Sequence, residues 1–211
     1  MLNDKKLIGL TGTYCAGKTY VASLLEQRLL PVLELDKLGH GIIESEKERI
    51  LARFGGDILM SNGLIDRKLL GNKVFGKPEE LAALEDIVHP GVNRETLAWI
   101  NAQKGQICVI NAALLHRSAV FDALDMVIIV EAPLLVRLLR ARKRDRLPWA
   151  SLLRRFSSQR SFSSQYFKEN TDIYKVDNSG FFGFRERFHR DKLEKRIDEI
   201  LSAMKTAGCK V

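Results

Sequence analysis

Along the chain, short continuous apolar runs alternate with longer stretches of helical period. Leu7 to Thr11 is such a run, and it ends at Gly12, which predicts a short buried strand entering a tight turn. Gly17 to about Leu30 then carries Val21, Ala22, Leu24 and Leu25 at helical spacing. Pro31 to Leu35 predicts a second strand that stops at Asp36, and further strands are expected at Ile107 to Asn111, Met126 to Glu131 and Ile173 to Val176. Strands separated by helical stretches form βαβ units, so the expected fold is α/β, a parallel sheet flanked by helices.

The block from about Glu46 to Gln103 is mostly helical, broken at Gly55-Gly56, Asn62-Gly63, Pro78 and Pro90. It is longer than one crossover needs, which predicts an insertion. After Pro133 a helix is expected to about Lys143, a break near Pro148 and another helix to about Gln159. A final amphipathic helix, near Arg187 to Met204, places Leu193, Ile197, Ile200, Leu201 and Met204 on one side. No fixed-period repeat or Pro/Ser-rich linker divides the chain, so residues 1–211 read as one domain.

Composition narrows the class. With 45% apolar and 28% charged residues over 211 positions, the chain can bury a sizeable core and does not read as disordered. Apolar runs stay well short of the roughly 20 residues a membrane helix needs, and Leu7-Ile8-Gly9-Leu10 after Lys5-Lys6 is too short for a signal-peptide core. Cys15, Cys108 and Cys209 are far apart and form no CxxC pair, which argues against a disulfide framework or zinc site and for a reducing cytoplasm.

The net charge of +8 resides in one segment: between Arg137 and Arg160 there are nine basic residues (eight of them Arg) and one acid, Asp145. Something anionic is the expected partner. A nucleic acid, an acidic membrane surface and a phosphate-bearing small molecule all fit a basic patch as such.

The local chemistry favours phosphate. Gly12-Thr13-Tyr14-Cys15-Ala16-Gly17-Lys18-Thr19 satisfies GxxxxGK[ST], the Walker A pattern, between a predicted strand and a predicted helix. In that context backbone N–H groups and the helix N-terminus cradle a nucleoside triphosphate, Lys18 reaches the β- and γ-phosphates, and Thr19 can ligate Mg²⁺. A GTPase reading finds DxxG at Asp36 to Gly39, but Asn72-Lys73 continues into Val74-Phe75 and fails the base-reading NKxD pattern. A small-molecule kinase needs an acid at the end of its second strand and a basic lid over the phosphates, and Asp36 and the arginine-rich segment supply both.

At this point the sequence resembles the dephospho-CoA kinase family. Gly9-Leu10-Thr11-Gly12 leads into the P-loop, and Leu35-Asp36-Lys37 with His40 resembles the family's second-strand acid and helix. Asn62-Gly63-Leu64-Ile65-Asp66-Arg67, followed by Leu70, Val74-Phe75, Leu84-Glu85 and His89-Pro90, is similar to its DGxIDR…L…VF…LE…HP block. Arg140, Arg144-Asp145, Arg155 and Gln159 match the spacing of its lid, and Asp177-Asn178-Ser179-Gly180 its NxG turn. The resemblance runs from Leu7 to about Gly180.

It implies a P-loop kinase core with a helical CoA-side insertion at about 46–103 and a basic lid at about 137–165. The implied reaction is ATP-dependent phosphorylation of the ribose 3′-hydroxyl of dephospho-CoA, giving CoA and ADP. Asp36 would stand beside that hydroxyl, with Lys18 and the P-loop on ATP, Thr19 on Mg²⁺, and Arg144 with Arg140 on the transferring phosphoryl. Arg67, His89 and Arg94 would serve the acceptor side and Asn178 the adenine. The expected protein is a cytoplasmic monomer binding neither nucleic acid nor membrane. The alternatives are another P-loop small-molecule or nucleotide kinase, and a nucleic-acid-binding protein with a vestigial ATP site.

Three departures from the family pattern stand out. Cys15 replaces a P-loop glycine, Asn111-Ala112-Ala113-Leu114-Leu115-His116-Arg117 replaces PLLFE, and Thr171-Asp172 only approximates the Ala-Asp pair before the NxG turn. Simpler roles also compete: Asp36 as a helix cap, Asp66-Arg67 as a cap and ion pair, His89 as structural, His40, His116 and His189 as surface or core residues, and Phe181, Phe182, Phe184 and Phe188 as core contacts.

Overall fold

Strand formation follows burial. In the computed structural model, which describes residues 5–145, 148–149, 151–152, 156, 171–180 and 186–207, the strands are β1 (Lys6–Gly12), β2 (Val32–Glu34), β3 (Ile107–Asn111), β4 (Met126–Glu131) and β5 (Asp172–Asp177). They form one sheet in the order β2-β3-β1-β4-β5. β1 pairs in parallel with β3 on one side and β4 on the other, and β4 pairs in parallel with β5. β1, β3 and β4 are buried on both faces, which is why each reads as a continuous apolar run rather than an alternating one.

The helices are α1 (Lys18–Glu26), α2 (Leu35–Ser45), α3 (Lys47–Phe54), α4 (Arg67–Val74), α5 (Pro78–Ala102), α6 (Leu134–Asp145) and α7 (Glu186–Ala207). By internal contacts the chain divides into a helical unit that contains Leu33–Gln103 and a sheet unit that joins Asp4–Val32 with the residues from Lys104 on.

In the sheet unit, Ile8 and Leu10 of β1, Ile128 and Val130 of β4, Val21, Leu24 and Leu25 of α1, and Leu193, Ile197 and Ile200 of α7 share one core. On β1, Gly9 leaves room for Leu115 and Leu124: a Cβ there would sit 2.5 Å and 2.7 Å from their methyl carbons. Arg28, just past α1, ties that helix to α7 by donating to Asp198 Oδ1 and Oδ2 at 2.5 and 3.0 Å and to Leu24 O at 2.9 Å.

In the helical unit, Ile50, Phe54, Ile58, Ile65, Leu70 and Val74 form a separate core, with Leu81, Leu84, Ile87 and Val88 of α5 against it. α2 and α5 meet where Gly91 faces Ile42, since a Cβ at Gly91 would lie 2.8 Å from Ile42 Cγ2. Asn62-Gly63 makes a tight turn, with Gly63 at φ 77° and an antiparallel bridge between Leu59 and Ile65 closing it.

Three element boundaries differ from the sequence expectation. α1 stops at Glu26 rather than near Leu30, because Leu29 turns left-handed at φ 60° and Leu30 N–H bonds back to Leu25 O. β2 ends at Glu34, and Asp36 already lies in the first turn of α2. Pro90 does not break α5: with the helical φ already set by its ring, it costs one backbone bond within a 25-residue helix. The helical unit takes in α2 as well, because α2 packs on α5.

Candidate active site

Gly12 to Thr19 leave β1 and enter α1 as a phosphate-binding loop would. Gly17 is the N-cap of α1 at φ 96° and ψ 30°, a left-handed conformation suited to glycine. A Cβ on Gly17 would also collide with the side-chain amide of Asn178, and one on Gly12 would lie 2.8 Å from Val130 O. No side chain caps α1, and its first turn holds no acid. The positive end of its dipole is therefore left for an external anion. Within the loop Ala16 N–H bonds to Thr13 O at 2.9 Å. Cys15 holds φ 60°, the left-handed geometry for which a glycine is the low-strain choice.

The loop's outer side is held by α6 and by the turn after β5. Arg137 Nε donates to Tyr14 O at 2.9 Å, Arg140 Nη1 to Ala16 O at 3.0 Å, and Asn178 Nδ2 to the same Ala16 O at 2.8 Å. Arg140 Nη2 also donates to Asn178 O and Gly180 O, at 3.0 and 2.7 Å. Because a trans peptide is planar, turning Tyr14 O and Ala16 O toward these donors turns the next N–H groups, on Cys15 and Gly17, the opposite way. Arg137 and Arg140 thus orient amide donors. Burial pulls both guanidinium pKa values down from the usual range, opposed by Cys15 and, respectively, by Glu131 and Asp177.

Arg137, Arg140 and Arg144 recur at i, i+3 and i+7, on one face of α6. Arg144 lies over the Tyr14 ring, 5.1 Å from its centroid, and pairs with Asp145 at 2.7 Å through Nε. The Tyr14 hydroxyl donates to Asp145 Oδ2. Phe156 meets Tyr14 edge-on at 5.3 Å and sits under Arg137 at 4.8 Å. Arg142 and Lys143 are exposed, Arg142 over Trp149. Arg146, Arg154, Arg155, Gln159, Arg160, Phe181, Phe182, Phe184 and Cys209, and the side chain of Phe188, lie outside the described residues.

The proposed acceptor-side residues belong to the helical unit. Asp36 is exposed in the first turn of α2 and is not the cap, a position held by Glu34. His40, one turn on, has its imidazole pKa lowered by desolvation and by Arg67, while Asp36 pulls it up. Asp36, His40 and Arg67 are therefore electrostatic neighbours. Asp66 does cap α4, accepting from Lys68 N and Leu69 N at 2.8 and 3.1 Å, and Arg67, the first residue of that helix, is exposed. His89 is exposed beside Pro90, and exposed Arg94 pairs with Glu95 at 3.3 Å.

Thr19 is exposed in the first turn of α1. Among the described residues no three His, Cys, Asp or Glu side chains gather as a metal cage. A single hydroxyl beside a phosphate cradle suits Mg²⁺, which keeps phosphate oxygens and water as most of its ligands. Thr13 Oγ1, in the cradle wall, is enclosed without a hydrogen-bond partner among the described residues, so a polar donor is available there. The sequence assigns Tyr14 to the nucleotide-binding loop and Arg137 and Asp145 to the basic lid, but not the contacts these three make with one another's segments. The signal for Arg137 was its helical spacing to Arg140 and Arg144; for His40 it was the i, i+4 step from Asp36.

Comparison with known proteins adds the identity. A family model described as dephospho-CoA kinase matches residues 6–180. A dephospho-CoA kinase of Treponema pallidum is 33% identical over 96% of this chain and 97% of its own length. A dephospho-CoA kinase domain-containing protein of Danio rerio is 30% identical over 92% of this chain and 86% of its own. A solved structure from Thermus thermophilus superposes with a TM-score of 0.78 at 28% identity, covering 94% of this chain and 97% of that one. The fold is also that of a dephospho-CoA kinase from Campylobacter jejuni, with a TM-score of 0.60 at 22% identity over 93% and 98% of the two chains. With the P-loop, its arginine supports and the Asn62–Arg67 block inside the matched region, the chain belongs to the dephospho-CoA kinase family.

Proposed function

We propose that this chain transfers the γ-phosphoryl group of ATP to the ribose 3′-hydroxyl of dephospho-CoA. The observation that carries the reading is the cradle from Gly12 to Thr19, whose amides are oriented by Arg137, Arg140 and Asn178 inside a chain matched over residues 6–180 by the family model. Those amides and Lys18 bind the β- and γ-phosphates. Thr19 holds Mg²⁺, which when bound neutralises phosphate charge. Asp36 accepts the proton of the 3′-hydroxyl, and the hydroxyl oxygen bonds to the γ-phosphorus as the bond to the β–γ bridging oxygen breaks and ADP leaves.

Arg144 neutralises charge on the transferring group, and Arg140 supports the loop from behind. Asn178 shares that support through Ala16 O and contributes to the adenine side. Arg67, His89 and Arg94 bind the phosphates of the acceptor. The protein works as a cytoplasmic monomer, and the arginine-rich segment serves the triphosphate rather than nucleic acid, since Arg137 and Arg140 are already committed to the P-loop.

The test is ADP formation with dephospho-CoA, with other nucleotides and without acceptor, for wild type, Lys18→Ala and Asp36→Asn. Acceptor-dependent turnover that falls by about 10²- to 10⁴-fold in Asp36→Asn is expected. Turnover indifferent to dephospho-CoA, or untouched by that change, overturns the reading.

A further inference from the structure

The P-loop contributes a side chain as well as amides to this site. Tyr14 projects toward the C-terminal turn of α6, where it contacts two residues, and it meets Phe156 beyond that helix. Its ring face lies under the Arg144 guanidinium at 5.1 Å, its hydroxyl donates to Asp145 Oδ2, and its edge is braced by Phe156 at 5.3 Å. Asp145 is the common partner, because it also accepts from Arg144 Nε at 2.7 Å and Nη2 at 3.2 Å. Arg144 is otherwise solvent-exposed, with 60% of its side chain accessible.

A free arginine side chain carries about 2 kcal/mol of rotamer entropy. That entropy is lost when the guanidinium is fixed at a transferring phosphoryl group, and a group already fixed avoids losing it at the moment of reaction. The two-point pair with the neighbouring Asp145 fixes the guanidinium only as far as Asp145 is itself fixed, and it leaves the arginine side chain 60% accessible. Tyr14 adds to that constraint through its hydroxyl on Asp145 and its aromatic face on Arg144. It restricts the guanidinium plane while leaving the outward-facing N–H donors available, which a buried salt bridge would not.

We propose that Tyr14 is a positioning residue for phosphoryl transfer: it holds Arg144 against the phosphate loop through its ring and, by way of its hydroxyl, through Asp145. The consequence is that the lid helix is registered by the loop that binds the nucleotide. The inference rests on the assignment of Arg144 to the transferring phosphoryl group, and its effect lies in kcat rather than in nucleotide affinity.

The experiment is a double-mutant cycle on the purified full chain, with kcat, KM for ATP and dephospho-CoA, and the ADP dissociation constant measured for each variant. Tyr14→Leu is expected to lower kcat about tenfold, the joint effect of losing a cation–π contact to an exposed guanidinium and the hydroxyl's hydrogen bond to Asp145, with ADP affinity changed less than about twofold. Tyr14→Phe keeps the ring and is expected to lose about two- to threefold. In an Arg144→Ala background, Tyr14→Leu should change kcat less than about twofold, because the two residues act as a unit.

Independent, additive losses in kcat overturn the inference while leaving Arg144 in its role. So does an unchanged kcat accompanied by a lower melting temperature, which would mark Tyr14 as a packing residue. Arg144→Ala turning over at the wild-type rate overturns the assignment of Arg144, and the inference with it. If Tyr14→Leu does not fold, Tyr14→Phe carries the same test, with about a two- to threefold loss of kcat expected in the wild-type background and none in Arg144→Ala, and equal losses in the two backgrounds overturning it.

Discussion

At the scale of single residues, Cys15 and Leu29 share one backbone anomaly, φ 60° without being glycine, in opposite surroundings. Leu29 is 91% exposed, so nothing but the turn depends on its side chain. Leu29→Gly should therefore raise stability by about 1 kcal/mol, the relief of a left-handed L-residue less the added chain entropy, measured as a higher urea midpoint at constant slope. Cys15 packs with Tyr14 and Leu138 against Ala141, Leu152 and Phe156, so Cys15→Gly trades relief for lost contact and should leave the midpoint within about 0.5 kcal/mol of wild type. Gly17→Ala meets both obstacles at once, the left-handed backbone and the Asn178 amide. It should reduce ADP binding at least tenfold in a titration.

At the scale of elements, much of the architecture was legible because burial writes itself into the chain as continuous apolar runs. β3 and β4 fall where Ile107 to Asn111 and Met126 to Glu131 predict them, since both faces of each are covered. The passage of α5 through Pro90 was not legible. Proline punctuation is a local rule, and the contacts that keep the helix continuous, such as Gly91 on Ile42, come from residues far off in sequence. The arginine-rich segment was visible as charge, but its use was hidden: Arg137 and Arg140 bind carbonyls, and carbonyls leave no trace in composition. Asp66 is a cleaner case, since an acid two and three residues before the amides it accepts from is a local signal. Asp66→Ala should cost about 1 kcal/mol through the lost cap, read from a thermal melt in which kcat per folded molecule is unchanged.

At the scale of the whole molecule, stability should depend on pH through His40. Its folded pKa lies below the ordinary 6.5, so the folded state binds fewer protons than the unfolded chain as the solution is acidified. The contribution is present above about pH 6.5 and is lost as pH falls through the folded value. Urea midpoints for wild type and His40→Gln measured between pH 7.5 and 5 should converge toward the acid end, wild type losing more. The nucleotide cradle sets another global constraint. Ala16 O is held by Asn178, 162 residues later, and Arg28 beyond α1 is held by Asp198, 170 residues later. On the ribosome, then, the Walker A sequence emerges early but is not a finished binding site. A nascent chain has its phosphate loop long before it has the amide and guanidinium groups that turn the loop's peptides toward phosphate, so nucleotide cannot assist folding until the strand Asp172–Asp177 has been made.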